Sequence, residues 1–168
     1  MPERKTIERA RQDKAEGKAP STQAGEFVRE EMDHIRAGKH GARSAKQAIA
    51  IGLSKARRAG VDLPPPREGN ASAETRRAAK RDEEAGQHKT RKVSAKRSRA
   101  TSDALKSEGH AAASKSALSR QAKSAARRRT ASDRSAAAKK AVQTKKQANG
   151  STAARKTTRA SSRKKASA

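Results

Sequence analysis

The chain contains no cysteine, tryptophan or tyrosine, and its single phenylalanine is Phe27. Without cysteine there is neither a disulfide scaffold nor a thiolate metal site. Without aromatics beyond Phe27 the chain lacks the platforms on which unpaired bases stack, which disfavours single-strand and sequence-specific RNA recognition relative to a duplex read through its backbone. Proline is absent after Pro66 and acidic residues are absent after Asp133. No apolar run is long enough to span a bilayer. The opening "MPERKTIERARQDKAEGKAP" alternates charges and offers no apolar signal-peptide core. A cytoplasmic protein, not bound to membranes, is expected.

Large apolar side chains are scarce as well. They gather early, as Phe27, Val28, Met32, Ile35, Ile49, Ile51, Leu53, Val61 and Leu63. After Leu63 only Val93, Leu105, Leu118 and Val142 remain. With 31% hydrophobic residues, 36% charged residues and a formal charge of +26, the composition matches chains that cannot offset ordering entropy by burial. The fold expected is therefore mostly disordered with a small all-α headpiece. No second hydrophobic core is expected.

The headpiece is a helical hairpin. In "STQAGEFVREEMDHIRAGKHG", Phe27, Val28, Met32 and Ile35 form one apolar stripe, and Glu30, Glu31 and Asp33 fall largely off it. Ser21 or Thr22 suits the N-cap and Gly38 the left-handed stop, giving a helix over about 23–37. In "SAKQAIAIGLSKARRAG", Ser44 and Gln47 fit a capping box. Ala45, Ile49, Gly52, Leu53 and Ala56 share a face, and Gly52 admits a close neighbour. Ile51 points elsewhere, so this helix, about 45–59, should meet more than one partner. Gly60 ends it and Val61 folds back. The core expected is Phe27, Val28, Met32, Ile35, Ile49 and Leu53. So small a unit calls for help, and self-association or a protein partner through the hairpin is expected.

Around the hairpin (21–63) the chain divides into a flexible arm (1–20), a proline spacer (64–66) and a low-complexity basic tail (67–168). Residues 1–66 hold 14 Lys and Arg against 9 Asp and Glu, and the remainder 29 against 8, net charges of +5 and +21. The tail is expected to be disordered or transiently helical, with "SAETRRAAKRDEEAG" its best helical segment. A polycation of this kind points to nucleic acid. The phosphate-binding residues expected are Arg91, Lys92, Lys96, Arg97, Arg99, Arg127, Arg128, Arg129, Lys139, Lys140, Lys145, Lys146, Arg155, Lys156, Arg163, Lys164 and Lys165. A recognition helix is disfavoured at 44–59, because its N-terminal end offers only Lys46 and Gln47 and its centre is apolar.

Catalysis is not expected. His34, His40, His88 and His110 show no close acidic or cysteine constellation, so neither a metal nor a cofactor is expected. "AGKHG" lacks the phosphate-loop pattern. Thr130 and Ser132 in "RRRTAS" sit beside arginines as basophilic kinases prefer, but such neighbours are common throughout this composition.

The run Gln47–Arg57, "QAIAIGLSKAR", within residues 24–63, resembles a short helical domain of unknown function found in small basic bacterial proteins. Gly52 stands where that resemblance implies alanine. The Lys/Ala/Arg/Ser tail is similar to bacterial linker-histone-like tails but lacks their proline. Together these features lead to the expectation of a histone-like, nucleoid-associated protein that neutralises duplex DNA phosphates without sequence preference. The alternatives are an adaptor acting through the hairpin and binding of ribosomal or other structured RNA.

Overall fold

The computed structural model describes residues 2–88 and 94–145. They contain α1 (Arg4–Ala15), α2 (Pro20–Arg36), α3 (Ala45–Arg58), α4 (Ala73–Gln87), α5 (Ala95–Lys106), a 3-10 turn (Ala111–Ala113) and α6 (Lys115–Arg127). Residues 131–145 are also helical. Residues Met1–Gln121 and Ala122–Ala168 form separate units. The expectation of a mostly disordered, low-complexity chain with an isolated hairpin is therefore corrected. Among the described residues, helix also occupies most of the segments read as arm and tail.

In the first unit α2 packs on α1 and α3, and α3 packs on α4. Helix α1 replaces the expected flexible arm. It sets Thr6, Ala10 and Asp13 at helical spacing against the protein. Lys18 closes the connection to α2 with an ion pair to Asp13 at 2.7 Å. Helix α2 starts earlier than expected because Pro20 occupies its first turn, where a missing N–H costs nothing. Ser21 and Thr22 lie inside the helix and do not cap it.

Helix α3 follows the sequence closely. Ser44 Oγ accepts from the Gln47 amide at 3.2 Å, and Gln47 Oε1 accepts from the Arg43 amide at 2.9 Å. Gly38 and Gly60 take the left-handed conformation. The Val61 amide donates to Ala56 O at 3.1 Å, and Val61 is buried. The two-sided apolar turn meets α2 on one side and α4 on another. Gly52 sits at the crossing with α2, where a Cβ would lie 2.7 Å from the Val28 Cα. Gly52→Ala improves helix propensity by up to about 1 kcal/mol, but overpacking costs about 1–3 kcal/mol. A net destabilisation of about 1 kcal/mol is expected, read as a lower urea midpoint at unchanged m-value.

Helix α4 is held by charge and close approach. Asp82 accepts from Ser54 Oγ at 2.6 Å and from Arg58 Nε at 2.7 Å. Arg57 turns inward and donates to the carbonyls of Leu63 at 3.0 Å and Pro64 at 3.2 Å, tying down the proline spacer. Burial lowers its guanidinium's affinity for the proton, against the opposing field of Asp82 and Glu83.

The core forms two clusters. One joins Phe27 to Ala10, Ala24, Ala56 and Val61, with Leu53 partly buried beside it. The other joins Met32 and Ile35 to Ala42, Ala48, Ala112 and Ala113, with Val28, Ile49 and Leu118 partly buried. So the second cluster, not expected from the sequence, draws on residues of the supposed tail. Alanine is what makes this possible. It adds little apolar area per residue, but it lets backbones approach closely and loses no rotamer freedom. The α2–α3 loop is docked in the same way. The Gly41 amide donates to Leu105 O at 2.8 Å, the Ala42 amide to Gly109 O at 3.1 Å, and Arg36 Nε to Ala113 O at 3.2 Å. A Cβ at Gly41 would overlap the Glu108 carbonyl.

Candidate functional site

The cations of the chain fall into two populations. Several of those early in the sequence are engaged. Lys18 pairs with Asp13 and Glu16, Lys39 with Glu3, Lys55 with Glu30 and Glu31, Arg58 with Asp82, and Arg76 with Glu68. Every ion pair among the described residues joins positions within 3–108.

Beyond that point the pattern changes. Residues 109–145 carry ten Lys and Arg and one acid, Asp133. All ten cations are exposed, on α6, on the turn after it and on the helical residues 131–145. Of the residues expected to meet phosphates, Lys96, Arg97 and Arg99 lie exposed on α5. Arg127 ends α6, Arg128 and Arg129 follow it, and Lys139, Lys140 and Lys145 stand on the next helical run. Arg91, Lys92, Lys146, Arg155, Lys156, Arg163, Lys164 and Lys165 lie outside the described residues.

Most of the described ones stand on helix, with Arg128 and Arg129 on the turn after α6. Asp133, the one acid in this stretch, is used locally. Thr130 Oγ1 accepts from the Asp133 amide at 3.1 Å and donates to its carboxylate at 2.8 Å, capping residues 131–145. Thr130 therefore has a structural task in the segment whose sequence suggests a kinase target. Helix α3 is packed against α2, α4 and the 3-10 turn.

A second feature was invisible in the sequence. Glu30 and Glu31, expected off the apolar stripe, are buried, and Glu31 is fully so. Glu30 accepts the Glu3 amide at 3.2 Å, holding the start of α1. Lys55 crosses from α3 to Glu31 Oε2 at 2.5 Å. On the other oxygen, His40 Nε2 stands 3.3 Å away, but Oε1 accepts no hydrogen bond. His34 joins them, so that donor atoms of Glu31, His34 and His40 lie within 4.8 Å of one another. Glu3 Oε1 is 2.9 Å from His34 Nε2. Hydrogen bonds from His34 and then Lys39 hold the Glu3 carboxyl below its ordinary value. The reading that the histidines lack an acidic neighbour is thus corrected. One helical turn brings Glu31 beside His34, and the Gly38 turn returns His40 to both.

The described residues are all-helical, with ion pairs confined to positions 3–108 and a strongly cationic stretch over 109–145. Residues 11–67 match a family of unknown function (DUF6496), so this part of the chain corresponds to a short domain without an assigned activity. No curated protein and no solved structure matches the chain. Among the described residues no helix is long and apolar enough to cross a membrane.

Proposed function

We propose that the protein binds duplex DNA through its phosphates, without reading base sequence, and so associates with the nucleoid. The observation that supports this reading is the division of cations. Over 3–108 carboxylates are frequent, and most of them meet a lysine, arginine or histidine. Over 109–145 ten cations stand exposed against one acid. Exposed, like-charged side chains repel one another and destabilise a fold, so a polyanion that releases its counterions is their natural complement. Helical presentation spaces the charges at fixed intervals and spares part of the ordering cost that a coil would bear on binding.

Binding that takes its energy from phosphates is indifferent to base order. Equal affinity, within about threefold, is expected for random, A·T-rich and G·C-rich duplexes of one length by fluorescence anisotropy. Structured ribosomal RNA serves as competitor in the same assay. Preference for one duplex sequence by about tenfold or more, or displacement by RNA at far lower phosphate concentration than by duplex, would overturn the proposal.

A further inference from the structure

We propose that Glu31, His34 and His40 form a binding site for a divalent ion of the zinc class. The argument begins with an unsatisfied atom. Glu31 is fully buried and its Oε1 has no hydrogen-bond donor, an arrangement that costs stability unless a cation completes it. Lys55 serves only the other oxygen, Oε2.

His40 Nε2 approaches the orphan oxygen to 3.3 Å without making a hydrogen bond to it. Four-coordinate zinc, with bonds of about 2.1 Å, sets two donors roughly 3.4 Å apart. The observed separation is therefore that of two ligands on one metal. The third donor, from His34, whose side chain is 15% exposed, lies within 4.8 Å of the other two, and metal binding would draw it closer.

The surroundings have the features that fix metal ligands. His40 Nδ1 lies 3.1 Å from the Gly41 carbonyl, which selects the tautomer with Nε2 free. That carbonyl belongs to the loop anchored on Leu105 and Gly109. Lys55 on Glu31 Oε2 orients the carboxylate, and Glu3 adds negative charge beside His34. Two imidazole nitrogens and one carboxylate oxygen favour zinc-class ions over magnesium or calcium, which prefer all-oxygen shells. Three protein donors leave the fourth position for water.

The test is a titration of the full-length protein with Zn²⁺ by calorimetry, alongside His34→Ala, His40→Ala and a His88→Ala/His110→Ala control. One saturable equivalent is expected, with a raised thermal midpoint. The control should keep it, and each single variant should weaken it by about a hundredfold, at or beyond the loss seen when an outer partner is removed. Ring-nitrogen NMR on the unmodified protein guards against a variant that fails to fold. Zn²⁺ should move the His34 and His40 signals and leave those of His88 and His110 in place. Absence of saturable binding, retention of binding in both single variants, or unmoved His34 and His40 signals would overturn the proposal.

Discussion

Lys55→Met is expected to destabilise the fold by about 3 kcal/mol, the lower end of the range for removing one partner of a buried ion pair. The reason is what remains. Glu31 has no exposed surface, and with Lys55 gone its Oε2 loses its cation and its hydrogen-bond donor. The lysine side chain keeps 24% of its exposure, which holds the figure at the low end because water screens part of the pair. Replacing both members, as Glu31→Leu with Lys55→Met, should recover most of the loss, since an apolar pair of similar volume is often neutral or better. Urea unfolding of the two single variants and the double variant measures this coupling directly. Each should be unfolded with a chelator present, so that metal bound at Glu31 does not enter the comparison. A double variant as unstable as the sum of the singles would show that Glu31 and Lys55 do not act as a pair.

Charge removal in the second unit should have the larger effect on binding and almost none on folding. Arg127, Arg128, Arg129, Arg134, Lys139 and Lys140 are exposed and make no ion pair among the described residues. Glutamine at all six keeps helix propensity close to that of the parent residues. If each cation neutralises one phosphate, the slope of log affinity against log salt should become shallower by about 5, from roughly 0.9 per contact. The far-UV circular dichroism of the variant should match that of the parent. An unchanged slope would place the phosphate contacts elsewhere on the chain.

How far the sequence disclosed this protein depended on the kind of residue doing the work. Helices α2 and α3 were legible because bulky residues recur at helical spacing and because Ser44, Gln47, Gly38, Gly60 and Val61 mark their ends. Helix α4 was legible as the stretch "SAETRRAAKRDEEAG", while its cap was not read: Ser72 Oγ accepts the Thr75 amide at 3.2 Å. Helix α1 and the docking of residues 105–118 were not, because alanines bury them. Ala10, Ala112 and Ala113 are each 5% exposed or less, and a count of large apolar residues passes over all three. The same count is why disorder was expected where helix is found.

The acidic cluster was hidden for a different reason. Periodicity assigned Glu30 and Glu31 to the side of α2 away from the stripe, which in an isolated hairpin faces water. Here α1 and α3 cover that side, and Lys55, 24 positions away in sequence, supplies the countercharge. No local pattern announces such a pair. The cationic surface was legible as charge, while its mounting on capped helices was not. Thr130, which sits beside arginines as basophilic kinases prefer, forms that cap with Asp133.

Exposed cations seeking phosphate are tested most directly by a salt titration of the full-length protein on random duplex DNA. With six to ten phosphate contacts, affinity should fall log-linearly by about 10³–10⁵ between 50 and 200 mM salt. A flat dependence, or no measurable binding at the lowest salt, would contradict it.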